Sequence, residues 1–157
     1  MIMDSSTWME LKERYEKRQT LYWENLHVGM EFVPYTYIVT EEIAENVIQV
    51  TGNTNHLYSN YFLKPDGKRL CPLGCAVIYS RLSYLGEQYQ PPAGGILANM
   101  SLKFKKPLCV GDIITSYAKV VSKEEGKGRK YFTLHIHSID HNNEQVSEME
   151  MTGIWPR

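Results

Sequence analysis

Apolar residues dominate residues 74–90, GCAVIYSRLSYLGEQYQ, and they fall on nearly every side of the helix that this stretch predicts. Its charged residues are Arg81 and Glu87. A helix that is apolar all round is buried rather than laid on a surface. Pro91 and Pro92 follow directly, and proline cannot continue a helix. The pattern therefore predicts one long buried helix around which the rest of the domain is organised.

After residue 90 the pattern changes from helical to alternating, which predicts a sheet. Met100, Leu102 and Phe104 point one way, while the polar residues between them point the other way. Further strands are predicted at 113–122, 131–139 and 145–155, with turns at 107–112, 124–130 and 140–144. Because these three connections are short, we expect the strands to form an antiparallel meander.

Two further elements precede the central helix. An extended run from residue 26 to residue 40 contains Pro34, which predicts a strand at a sheet edge or a bulge. Thr40 is followed by two glutamates, the order typical of a helix start, and Gly52 provides the helix end. The predicted buried side of this helix carries Ile43, Ala44, Val47, Ile48 and Val50.

The first 22 residues contain a short amphipathic helix pattern. Thr7 and Glu10 fit a capping box, and Trp8, Leu11 and Tyr15 fall on one face. We interpret this segment as a surface helix docked by its aromatic stripe, with a partner-binding helix as the alternative. The predicted organisation is a helical extension over residues 1–21 and one domain over residues 22–157.

Composition restricts the classes of function. The chain has 157 residues, 22% of them charged, with a net charge of −1 and a pI near 6.5. This charge gives no electrostatic reason to expect nucleic acid or an anionic membrane surface as a partner. The hydrophobic content of 43% is ordinary and indicates neither disorder nor a membrane span.

Three cysteines and no secretory leader predict free thiols in the cytoplasm. Cys71 and Cys75 are four residues apart, but no second pair of ligands follows at the spacing of a zinc site. We therefore expect no metal and no cofactor.

The order of strand, helix, irregular polar loop, buried helix and antiparallel strands resembles the MaoC-like branch of the hotdog fold, which includes the (R)-specific enoyl-CoA hydratases. The resemblance runs from about Tyr22 to the C-terminus. It implies a single α+β domain with an antiparallel sheet wrapped around a long central helix, assembled at least as a dimer. The segments that carry it are 39–43 (VTEEI), 51–52 (TG), Asn55, 72–74 (PLG), 104–107 (FKKP) and 110–112 (VGD).

The loop after Gly52 departs from the functional motif of that family, which reads Asp-x-Asn-Pro-x-His. Asn53 stands at the position of the catalytic aspartate and Tyr58 at that of the catalytic histidine. Asn55 keeps the family asparagine, and His56 replaces the proline. By this resemblance Asn53, Asn55, His56 and Tyr58 are the candidate catalytic residues.

These substitutions weaken the expected chemistry. In the family, the aspartate and histidine hold a water and move protons as it adds across a double bond beside a thioester carbonyl. An amide is not a base near neutral pH, and phenols ionise only near about pH 10. A displaced base at His56 with Tyr58 as acid is an alternative. His56 as a hydrogen-bonded loop residue, and Asn53 and Asn55 as loop caps, are the structural alternatives.

Binding can survive where proton transfer does not. Leu73-Gly74 stands where the family has the His-Gly that opens the central helix. The N–H of Gly74, at the positive end of that helix, is predicted to hold a thioester oxygen, with Leu73 and Cys75 beside it. Cys75 as a nucleophile would need a neighbouring base, so a packed small residue is the favoured interpretation.

The resemblance therefore implies a protein for acyl thioesters, acyl-CoA or acyl-carrier protein, with weak or altered hydro-lyase activity. A non-catalytic subunit paired with a hydratase-like paralogue is the first alternative. A hotdog thioesterase is another, although Glu87 lies at the wrong end of the helix for its usual carboxylate. A pure interaction module is the last, supported only by the N-terminal helix pattern.

Overall fold

The computed structural model describes residues 17–58, 63–85 and 88–156. The predicted N-terminal helix falls almost entirely on residues 1–16, which lie outside the described residues. Within the described residues the α-helices are α1 (Glu41–Thr51) and α2 (Cys75–Leu85). The strands there are β1 (Gln19–Thr20), β2 (Tyr35–Ile38), β3 (Tyr89–Gln90), β4 (Ile96–Phe104), β5 (Ile113–Gly126), β6 (Arg129–Asp140) and β7 (Gln145–Ile154).

Five strands form one antiparallel sheet in the order β2-β5-β6-β7-β4, and α2 lies across one face of it. Cys75, Ala76 and Tyr79 of α2 pack with Ile114 and Val146 of the sheet in the buried core. The arrangement confirms the predicted α+β hotdog fold, with a sheet that curves around a central helix. None of the helices in the described ranges has the length and apolar character needed to cross a bilayer.

The meander prediction is right for β5, β6 and β7 and wrong for β4. β4 pairs with β7, because β5 already has β2 on one side and β6 on the other. The β5–β6 hairpin is also tighter than predicted. Lys127 and Gly128 form its two-residue turn with φ of 51° and 71°, so both strands continue almost to the turn.

The central helix is shorter than the predicted 74–90. α2 ends at Leu85, and Tyr89–Gln90 form a strand that pairs in parallel with Gln19–Thr20. The helix is also not buried all round, because Ile78 and Arg81 lie on a side that neither the sheet nor α1 covers. The central helix therefore leaves the side chains of Ile78 and Arg81 in contact with solvent.

The start of β2 and the ends of α1 lie where the local sequence predicts them. β2 begins directly after Pro34 and is an edge strand, as predicted. The Thr40 hydroxyl accepts a hydrogen bond from Ile43 N at 3.3 Å, and Gly52 ends α1 in the left-handed conformation with φ of 61°. Val50 was wrongly assigned to the buried side: it is 88% exposed, because it shares the solvent side of α1 with Asn46, four residues earlier.

Candidate functional site

The N-terminus of α2 has backbone donors that no described residue uses, and Gly74 provides one of them. Cys75 N donates to Pro72 O, and Ala76 N donates to Leu73 O, both at 3.0 Å. Gly74 is exposed, and its N–H makes no hydrogen bond to any described residue. A free N–H at the positive end of a helix is suited to an anion or a polarised carbonyl oxygen.

The missing side chain of Gly74 lets α1 pack against the start of α2. A Cβ at this position would lie 3.0 Å from Val47 Cγ1, tighter than almost all real contacts of this kind. Val47 is six residues before Asn53, about 9 Å along the chain at the helical rise of 1.5 Å per residue. The candidate loop therefore begins less than about two helical turns after the residue that packs against Gly74.

The loop side chains of Asn53 and Asn55 hold the loop itself. Asn53 Oδ1 accepts a hydrogen bond from Asn55 N at 3.0 Å, and Asn55 Oδ1 accepts one from Leu57 N at 3.1 Å. Tyr58 N then donates to Asn55 O at 3.1 Å. Each amide thus uses its oxygen on the backbone, which leaves its NH₂ group as the part available to a ligand.

His56 and Tyr58 lie in one short 3₁₀ turn, His56–Tyr58. His56 is exposed, and Tyr58 is half-buried. The structure therefore brings all four candidate loop residues into one continuous segment of hydrogen-bonded turns. The assignment of Asn53 and Tyr58 to the two catalytic positions of the resembled family stays a prediction.

The cysteines near α2 are buried and unpaired by disulfides: Cys71, Cys75 and Cys109. A hydrogen bond between thiols lowers the pKa of Cys75, and the same bond together with burial raises the pKa of Cys71. Because Cys75 is 1% exposed, its thiol packs in the core and does not reach the surface beside Gly74. Among the described residues, no group of three or more metal-ligating side chains comes together.

The space next to the first turn of α2 is small. A cavity of about 10 Å³ lies there, with Leu73, Cys75, Phe104 and Lys106 among its lining residues, and this is about the volume needed for one water. Leu73 and Phe104 are both about two-fifths exposed, so the apolar lining continues outward onto open surface. A larger cavity of about 230 Å³ lies at the other end of α2, beside Ser83 and Tyr84.

Arg69 is a site residue that the sequence analysis missed. Its guanidinium donates to Tyr58 O, from Nε at 3.1 Å and from the second terminal nitrogen at 2.7 Å. In the sequence it follows the polar turn at residues 64–68, so nothing distinguishes it from a solvated lysine or arginine of that turn. Only the folded arrangement reveals its partners.

The fold and this donor together define a hotdog domain in which the N–H just before the central helix has no acceptor among the described residues. Solved structures with this fold include a monoamine oxidase regulatory protein from Archaeoglobus fulgidus, with a TM-score of 0.72 and 17% identity over 88% of this chain and 95% of that one. The (R)-hydratase PhaJ1 from Pseudomonas aeruginosa gives a TM-score of 0.70 and 19% identity over 89% and 88%.

A third similar structure is the HadBC (3R)-hydroxyacyl-ACP dehydratase complex from Mycobacterium tuberculosis. Its TM-score is 0.63 and its identity 19%, over 81% of this chain and 96% of that one. No family model and no curated protein matches the sequence. The likenesses to MaoC-like hydratases and dehydratases establish that this chain has their hotdog fold.

Proposed function

We propose that this protein binds an acyl thioester, with acyl-CoA as the preferred form, at the N-terminus of α2. The observation that carries the proposal is that Gly74 is exposed at the positive end of the helix and that no described residue accepts from its N–H. A thioester oxygen accepts from such a donor, and the adjoining apolar surface of Leu73 and Phe104 suits the first carbons of an acyl chain.

Hydration by this site is slow. Asn53 orients a water through its NH₂ group but cannot take its proton, and Tyr58 places a phenol where the resembled family has its histidine. A positioned acid or base ordinarily contributes about 10²–10⁴-fold to a rate. The proposed activity is therefore thioester binding with a weak hydro-lyase reaction at most.

Assembly with a second chain would cover the acyl group. β4 has eight of its nine residues exposed, and among the described strands it pairs with β7 alone, which makes it an edge strand there. Phe104 at its end adjoins Leu73, so a chain added at β4 would lie over the apolar surface next to Gly74. The proposed partner is a second copy or a hydratase-like paralogue. The three unpaired buried cysteines fit the cytoplasm as the compartment.

Crotonyl-CoA offered to the purified protein tests this function. We expect calorimetric titration to show binding, while loss of the enoyl absorbance proceeds at least about 100-fold more slowly than with a hydratase that has the intact aspartate and histidine. Hydration at ordinary enzyme rates would contradict the proposed chemistry. Absence of binding would contradict the proposed site, and release of free CoA would favour a thioesterase.

The role of the loop can also be tested by restoring the two catalytic residues of the family. The double variant Asn53→Asp with Tyr58→His restores the family pair, and an aspartate at position 53 can still accept from Asn55 N. We expect crotonyl-CoA hydration to rise by about 10²-fold or more. Asn46→Asp adds the same charge on the solvent side of α1 and should leave the rate unchanged. No gain in the double variant would mean that the loop does not face the substrate.

The second candidate function is a non-catalytic subunit of a heteromeric hydratase. The exposed β4 edge favours it, and HadBC, a complex by its description, has the same fold. Co-expression with a hydratase-like paralogue from the same genome distinguishes this function from that of a thioester-binding protein acting alone. A stable mixed dimer that hydrates crotonyl-CoA, formed in preference to the homodimer, would favour the subunit function.

A further inference from the structure

Arg69 carries a buried positive charge at the junction of three segments. Only 6% of its side chain is exposed, and burying a cation is costly unless it is paired and hydrogen-bonded. Glu41 and Glu45 pair with its terminal nitrogens, the latter at 2.7 Å, and Nε and one terminal nitrogen also donate to Tyr58 O. Each nitrogen of the guanidinium thus has a partner, and these partners belong to α1 and to the candidate loop.

The backbone of Arg69 is fixed independently of its side chain. Val110 N donates to Arg69 O at 2.9 Å, and Cys71 N donates to Leu108 O at 2.8 Å. These bonds attach the approach to α2 to the connection between β4 and β5. Gly74 follows Arg69 by five residues, so these backbone bonds anchor the chain shortly before Gly74.

The planar fork of arginine suits this position. Glu41 and Glu45 are four residues apart and therefore lie on the same side of α1. A guanidinium offers five donors in a fixed plane, which allows it to reach two carboxylates and a carbonyl at once, whereas an ammonium is a point charge. The carboxylates are 57% and 36% exposed, so water can solvate them if the arginine is replaced. The contact that water does not readily replace is the one to Tyr58 O.

We propose that Arg69 is a positioning residue that sets where the 53–58 loop stands relative to the Gly74 donor. The side chain holds the end of the loop at Tyr58, eleven residues earlier in the chain, while the backbone of the same residue leads into α2. This proposal rests on the proposed function, since it assigns the arrangement of the same thioester site. Arg69 acts through Tyr58 and has no contact with substrate.

Hydrogen exchange tests the positioning without any ligand. The variant Arg69→Lys keeps the charge and loses the fork, and the matched control is Arg129→Lys on the exposed start of β6. We expect the amides of Asn55, Leu57 and Tyr58 to exchange about tenfold faster in Arg69→Lys, with the amides of β5 and β6 unchanged. Faster exchange throughout the sheet would show a general structural role and overturn the proposal, as would unchanged exchange in the loop.

Binding tests the link to function separately. If the wild type binds crotonyl-CoA, Arg69→Lys should bind it about tenfold more weakly, and Arg129→Lys should bind as the wild type does. A wild type that does not bind refutes the proposed function, while the exchange result still decides the role of Arg69. If Arg69→Lys does not fold, Glu45→Gln removes one partner of the fork and is judged by the same exchange criterion, with a smaller acceleration confined to the loop expected.

Discussion

Gly74 combines two requirements in one residue. The missing Cβ admits Val47 of α1 to the start of α2, and the exposed N–H remains without a partner among the described residues. A larger residue would require the Val47 side chain to shift by a few tenths of an ångström. The packing that defines the position of the loop and the donor that would hold the thioester therefore depend on the same position in the chain.

Asp140 illustrates how a single charge stabilises the turn between β6 and β7. Its side chain is 4% exposed, and its Oδ1 accepts from Asn142 N at 2.9 Å and from Glu144 N at 3.0 Å. Burial opposes its ionisation, but the hydrogen bond from Lys106 and the two backbone donors outweigh burial and lower the pKa of the carboxyl. Lys106 in turn lines the small cavity beside α2.

We expect Asp140→Asn to lower the free energy of unfolding by about 1–3 kcal/mol near neutral pH, because the hairpin and Lys106 lose a charged acceptor. The folded pKa lies below the unfolded value of about 3.9, so the stabilisation is complete above that pH and is lost as the pH falls through the folded pKa. The variant should therefore approach the wild type in strong acid. Urea unfolding as a function of pH measures the loss of stability near neutral pH and its disappearance in acid.

Glu150→Gln is the matched control for Asp140→Asn, because Glu150 is an exposed carboxylate on β7. Its unfolding free energy should stay within about 0.5 kcal/mol of the wild type. An equal loss for Asp140→Asn at every pH would contradict the electrostatic explanation.

Among the elements, β6 and β7 depend on one glycine for their packing. A Cβ at Gly153 would lie 2.4 Å from the ring of Phe132, its cross-strand partner. That ring cannot move away easily, because it packs edge-on against Trp155 with the centroids 5.7 Å apart. The strand pair therefore requires glycine for space rather than for an unusual φ.

Gly153→Ala should lower the free energy of unfolding by about 1–3 kcal/mol, the usual cost of overpacking. Gly126→Ala is the matched control, since a Cβ at Gly126 near the end of β5 would have nothing within 4 Å. Its stability should change by less than about 1 kcal/mol. Urea melts compare the two, and equal stabilities would mean that Phe132 relaxes without cost.

The sequence predicted elements well where the signal is local and less well where it is not. Thr40 and Gly52 define α1 by their own side-chain and backbone properties, so its ends are predictable. The end of α2 is not, because Tyr89 pairs with Gln19, far away in the chain. The pairing of β4 with β7 also depends on which edges of the sheet the other strands occupy.

In the candidate site, too, some features were predictable from local sequence and others depend on distant contacts. Asn53 and Asn55 were recognisable as loop acceptors from their residue type, and the structure gives both amides that use. Arg69 was not recognisable, because its role depends on Glu41, Glu45 and Tyr58 meeting at one point in the fold. Its function in the loop follows from tertiary packing alone.

At the scale of the whole molecule, the β4 edge is the main surface suited to a partner, because no described strand pairs with it. Met100 and Phe104 on this strand and Ile78 on α2 are exposed apolar side chains. An exposed strand edge beside apolar surface is a template for another chain. The proposed dimer would cover the β4 edge and the apolar surface beside it.

We expect the wild type to sediment as a dimer and Met100→Glu to sediment as a monomer. Met100 is 38% exposed in the middle of β4, and a charge there would have to be buried by the proposed pairing. Val121→Glu on β5 is the control, because Val121 is 42% exposed but lies away from the β4 edge. A monomeric wild type, or a Met100→Glu variant that stays dimeric, would contradict homodimer assembly through β4.

The most direct test of the thioester site is the amide resonance of Gly74 during titration with crotonyl-CoA. The matched ligand is the corresponding CoA thioether, which has no carbonyl oxygen. We expect the Gly74 proton to move downfield with crotonyl-CoA only, and the thioether to bind about two- to tenfold more weakly, the contribution of one hydrogen bond. A Gly74 resonance that responds equally to both ligands, or to neither while crotonyl-CoA binds, would contradict the site.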